Sequence, residues 1–119
     1  MTNSDIFDAV KAAYKAIDDK MGEEICVLDL REISPLAEFF VIASANNSNQ
    51  LKAMADFVQE KLNAHGMKMR HIEGQQSARW ILLNFGAIVV HLFVKEEREY
   101  YRLDKLWADA PEIAREDLI

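Results

Sequence analysis

Few side chains in this chain could do chemistry, and they are scattered: Cys26, His65, His71, His91 and the carboxylates Asp29, Glu38 and Glu73. A metal centre needs several such groups at a ligand spacing, and acid–base catalysis needs two groups whose surroundings drive their pKa values apart. The chain contains no Cys-x-x-Cys, His-Glu-x-x-His or Asp-x-Asp, so no metal and no cofactor are expected. Asp29 could pair with Glu38 or Glu73 in an acid–base hydrolase, but single carboxylates in strands and turns usually face water or cap backbone groups. Cys26 lies within Ile25-Cys26-Val27-Leu28, where a cysteine acts as a small apolar side chain rather than a stabilised thiolate. His91 interrupts Val89-Val90-His91-Leu92-Phe93, and a hydrogen-bonded structural histidine is the expectation there. The four glycines, at 22, 66, 74 and 86, each fit a turn or helix end, which leaves no glycine-rich phosphate loop.

Composition bounds the classes that remain. With 119 residues, 50% of them hydrophobic, the chain suits a single domain spanning residues 1–119, and the acidic tail from about residue 110 is expected to fray. A formal charge of −6 repels phosphate backbones and favours a basic protein partner, so direct nucleic-acid binding is not expected. One cysteine excludes an internal disulfide, and no arginine-rich presequence, signal-type segment or long apolar span is visible. A cytoplasmic location without membrane contact is the expectation.

The elements that must position these groups follow from apolar spacing. Ile6, Val10, Ala13, Tyr14, Ile17 and Met21 recur every three or four residues, which predicts a first helix from Thr2 to Lys20, with Lys11 and Lys15 facing solvent and Gly22 as its left-handed terminus. Residues 25–30 and 39–43 read as two central strands, separated by a Ser34-Pro35 turn. The polar run 44–49 caps a second helix from about Asn49 to His65, whose buried stripe is Leu51, Met54, Ala55, Val58 and Leu62. Residues 67–72 alternate as an edge strand would, and 73–77 form a loop. Residues 79–84 and 88–93 flank Asn84-Phe85-Gly86, a hairpin signal. A short broken helix follows, and Pro111 is placed to begin a last helical turn. Together these predict an α/β fold, a mixed five-stranded sheet flanked by helices.

The hairpin carries a surplus of aromatic residues. Both tryptophans, Trp80 and Trp107, and two of the three tyrosines, Tyr100 and Tyr101, lie in it or just after it. Ile88, Val90 and Leu92 form an uninterrupted apolar set and are assigned to the core, leaving Val89, His91 and Phe93 on a mixed face. Trp80 either fills the core or, exposed, anchors an interface.

These residues resemble the Iojap-like ribosomal silencing factors. The resemblance is carried by Trp80 to Phe93, by Arg98-Glu-Tyr-Tyr101-Arg-Leu103-Asp-Lys-Leu106-Trp107, by Val27 to Leu30, by Glu38 to Ser44 and the helix through Ala55-Asp56, and by Glu73-Gly74. It covers residues from about 25 to 110, with the motifs in the family's order. The resemblance implies a nucleotidyltransferase-like fold without catalytic residues. It further implies a protein that docks on ribosomal protein number fourteen of the large subunit, blocks joining of the small subunit and represses translation when nutrients are scarce. Carried over by position, the recognition surface would be Trp80, Asn84, His91, Arg98 and Tyr101, with Leu106 and Trp107 near or beneath it. The family commonly has Asp where this chain has Asn84 and Glu38, Gly at Ala45 and Arg near Asn49; Asn84 removes one ion pair that a basic partner could use. The rival reading is a nucleotidyltransferase-like enzyme with Asp29 and Glu38 or Glu73 as metal ligands, and an aromatic face of this kind also suits a homodimer.

Overall fold

Two-residue alternation along the strands sorts this chain into a sheet with two different faces. The computed structural model describes residues 3–101 and 109–119, with side chains described for 5–98 and 109–119. The elements are α1 (Asn3–Asp19), β1 (Glu23–Asp29), β2 (Phe39–Ala45), α2 (Ser48–Ala64), β3 (His71–Glu73), β4 (Trp80–Asn84), β5 (Ile88–Val94), α3 (Lys95–Tyr101) and a 3-10 turn at Arg115–Asp117. The strands order as β1-β2-β5-β4-β3. β2 pairs with β5 in parallel, and β1–β2, β3–β4 and β4–β5 are antiparallel. The mixed five-stranded sheet read from the sequence is therefore the one observed.

α1 and α2 pack together on one face, over Val41, Ala43, Ile81, Leu83, Val90 and Leu92 among others. The stripe predicted for α2, Leu51, Met54, Ala55, Val58 and Leu62, is its buried face. Ile88, Val90 and Leu92 point into this core as assigned. Every residue of β5 is buried, so its second face, Val89, His91 and Phe93, is covered as well. That makes β5 the middle of the fold.

Caps close the helices. Asn47 accepts a hydrogen bond from the Gln50 amide at the start of α2, satisfying one of the donors a helix N-terminus leaves unpaired. At the end of α1 the left-handed position belongs to Met21 (φ 65°) rather than Gly22. Gly22 is needed for space instead, because a Cβ there would lie 2.3 Å from Ile17 Cγ2.

Other expectations are corrected. β1 is an edge strand, not a central one, since antiparallel pairing with β2 satisfies only one side. Its outer side is covered by the chain near the C-terminus: Asp29 N donates to the Pro111 carbonyl (2.8 Å) and Ile113 N to the Val27 carbonyl (2.8 Å). Pro111 thus protects a sheet edge instead of starting a helical turn, and Ala110 and Leu118 on either side of this contact are buried. Residues 67–70 are not strand. Met67 is buried where its amide closes α2 on the Leu62 carbonyl (2.9 Å), and the strand that pairs with β4 is His71–Glu73, preceded by a bond from the Arg70 amide to the Asn84 carbonyl (2.7 Å).

Candidate functional site

The face of the sheet opposite α1 and α2 gathers the aromatic residues. Trp80 is opposite Phe93 in the β4–β5 register, and their rings stack with centroids 4.8 Å apart at 26°. Phe40, from β2, meets the His91 ring edge-on at 4.8 Å and 70°. Trp80, Phe40 and Leu82 are half-buried over a lower layer of Cys26, Leu28, Ile42, Val89 and Phe93. Four strands, β1, β2, β4 and β5, thus contribute to one patch, with His91 at its centre.

Local chemistry sets the pose of Trp80. Gly74 has φ 86°, and a Cβ on it would fall 1.8 Å from the Trp80 carbonyl oxygen, so the loop before β4 can lie against Trp80 only with glycine there. The indole Nε1–H of Trp80 then points at His91 Nδ1, 3.3 Å away. His91 is only 5% exposed, and burial lowers its pKa from 6.5 to about 4, so the ring is neutral near pH 7. Because Nδ1 accepts, the single ring proton sits on Nε2. Among the described residues that buried Nε2 has no hydrogen-bond partner.

The remaining predicted site residues have different placements. Asn84 is half-buried and its side-chain oxygen accepts from the Gly86 amide at 2.8 Å, tightening a hairpin whose Phe85 amide bonds the Ile88 carbonyl (2.9 Å) and whose Gly86 has φ 89°. Arg98, expected on the recognition surface, is only 7% exposed. It projects from α3 into the sheet edge, donating to the Glu24 carbonyl and to Ser44 Oγ (3.1 Å), where β1 carries a bulge between Glu23 and Cys26. His91 is likewise beneath the surface rather than on it. Tyr101 closes α3, with its side chain outside the described set, and Leu106 and Trp107 lie outside the described residues. The structure therefore brings Trp80 and His91 into contact, and places Asn84 at the hairpin tip and Arg98 under α3.

Sequence reading missed Phe40. Its position over His91 depends on β2 pairing in parallel with β5, which opposes Ile42 to His91, and nothing local to Phe40 announces that register. Gly74 was visible as a turn glycine, but its contact with the Trp80 backbone was not.

Glu38 adjoins Asp29, since its neighbour Phe39 pairs with Asp29 across β1 and β2, but Glu73 does not join them. Asp29, in edge strand β1, and Glu73, in the opposite edge strand β3, are separated by the width of the sheet, roughly 19 Å at about 4.8 Å per strand. Asp29 is bound by Arg31, Oδ2 to Nη2 at 2.6 Å, and that hydrogen bond holds its carboxyl below the usual range. Among the described residues no group of three or more His, Cys, Asp or Glu is placed to hold a metal ion. On the helical side, an open groove of about 830 Å³ mixes Lys11, Lys15 and Lys61 with Asp8, Asp18 and Asp19 and shares no residue with the aromatic patch. Among the described residues no helix is long and apolar enough to cross a membrane.

Comparison with known proteins gives this geometry a family. A family model described as "Ribosomal silencing factor during starvation" matches residues 3–119. Ribosomal silencing factor RsfS of Halalkalibacterium halodurans is 38% identical over 119 residues, 100% of this chain and 99% of that protein. The mouse protein named "Mitochondrial assembly of ribosomal large subunit protein 1" is 35% identical over 91 residues, 72% of this chain and 39% of that one. A crystal structure of a Chromobacterium violaceum protein superposes with a TM-score of 0.84 at 31% identity, covering 91% of this chain and 88% of that one. The chain belongs to the ribosomal silencing factors, a family of ribosome-associated regulators of translation.

Proposed function

We propose that this protein docks on ribosomal protein number fourteen of the large ribosomal subunit, blocks the small subunit from joining, and so represses translation when nutrients are limiting. The observation that carries the reading is the family match over residues 3–119. The name of the mouse relative, which refers to the large subunit, supports the choice of subunit. The chain acts by occupying a surface and not by catalysis, in the cytoplasm where ribosomes work. Its charge of −6 suits a basic ribosomal protein and speeds encounter at low salt.

The docking surface centres on Trp80, flanked by Phe40, Leu82 and the hairpin tip at Asn84. A half-buried tryptophan held by its neighbours is the kind of residue that dominates interface energies. Co-sedimentation with separated subunits tests this. The expected result is binding to large and not small subunits, weakened by Trp80→Ala by about 2 kcal/mol or roughly 30-fold. Circular dichroism of the variant must show the fold retained. Equal binding of wild type and variant would refute the assignment of the surface. If the patch instead joins two copies of this chain, the molecular size will rise with concentration and Trp80→Ala will abolish that rise.

A further inference from the structure

We propose that His91 is the positioning residue of the docking face: its unprotonated Nδ1 holds the indole of Trp80 in the orientation that the partner meets. The proposal rests on the docking reading above and adds to it a residue that the partner does not touch. Four observations carry it. Trp80 Nε1 lies 3.3 Å from His91 Nδ1, with the two rings 6.0 Å apart. The indole is fixed from below by its stack on Phe93, and from behind by the close approach of Gly74 to its backbone. The imidazole is itself held by the edge contact with Phe40. Finally, accepting the indole hydrogen bond forces the ring proton onto Nε2, which is buried with no partner among the described residues.

That last feature separates positioning from packing. Packing alone would be served by an apolar side chain at a position where all seven residues of the strand are buried, since such a group brings no unpaired Nε2–H of its own into the core. A histidine supplies one thing that leucine cannot, an acceptor aimed at Trp80. Burial keeps that acceptor available, because the neutral ring is retained down to a pKa of about 4.

Three variants test this, read by urea unfolding, by the Trp80 indole N–H resonance in the free protein, and by co-sedimentation with large subunits. Asparagine can place its side-chain oxygen where Nδ1 sits, whereas glutamine places its polar end nearer to Nε2. His91→Leu should be about as stable as wild type near pH 7, the loss of the unpaired Nε2–H offsetting the loss of the indole's acceptor, with a shifted and faster-exchanging indole proton and binding weakened about tenfold or more. His91→Asn should restore the indole resonance and hold binding within about threefold of wild type, and His91→Gln should not. If His91→Leu binds as wild type does, or if binding in all three variants simply follows stability, the positioning role is wrong. If wild type itself fails to sediment with large subunits, the docking reading fails first and the proposal falls with it.

Discussion

Replacing His91 with leucine should change how stability depends on pH by an amount the structure sets. In the folded chain burial lowers the His91 pKa to about 4, against 6.5 when it is free of the fold. Between those values the unfolded chain binds a proton that the folded chain refuses, so folding weakens as the pH drops. The loss starts near pH 6.5 and is complete below about pH 4. At about 1.4 kcal/mol per pH unit, this interval is worth about 3 kcal/mol. His91→Leu lacks the term. Its stability at pH 7.5 should lie within about 2 kcal/mol of wild type, because the unsatisfied Nε2–H is removed while the Trp80 indole loses its His91 acceptor. Relative to wild type it should then gain about 3 kcal/mol on going to pH 4. Urea unfolding of both proteins at pH 7.5, 6, 5 and 4 measures the difference directly, and contributions common to both, such as that of Asp29, cancel. A difference that stays flat across this range would mean that His91 titrates normally and is not desolvated.

Other substitutions separate the parts of the site. Gly74→Ala forces a Cβ into the Trp80 carbonyl at φ 86° and should destabilise by about 3 kcal/mol or more, seen in urea titration. Asn84→Ala removes the acceptor of the Gly86 amide and should cost about 1 kcal/mol. Asn84→Asp keeps that acceptor and should leave stability within about 0.5 kcal/mol. Arg98→Met leaves Ser44 Oγ and the Glu24 carbonyl without their buried donor and should lower stability by about 2–3 kcal/mol. If Arg98 instead contacts a partner directly, the same change will weaken ribosome binding while leaving thermal stability unaltered.

The architecture was legible where the pattern is local. The period of α2 and the alternation of β4 and β5 pointed to their buried faces, and Gly86 marked the hairpin. The errors came where long-range pairing decides. Residues 25–30 are as apolar as a central strand, yet β1 lies at an edge because residues 111–113 cover its outer side, a contact between segments more than eighty residues apart. Met67 alternates like a strand residue but is taken by the end of α2. For the site, residue types singled out Trp80, Asn84, His91 and Arg98, but not how each is used. Asn84 closes a turn through the Gly86 amide two residues on, and Arg98 anchors α3 through the distant Glu24 carbonyl. The family resemblance supplied the broad function, and the part-buried hydrogen bond between Trp80 and His91 required coordinates.

The central claim is that this protein keeps the subunits apart. Purified large subunits, incubated with the protein and then with small subunits, should form fewer joined ribosomes on a sucrose gradient as the protein concentration rises. Free large subunits carrying the protein should accumulate, and Trp80→Ala should require a concentration roughly 30-fold higher for the same effect. Joined ribosomes forming to the same extent at saturating protein, with the protein bound to the large subunit, would contradict the account.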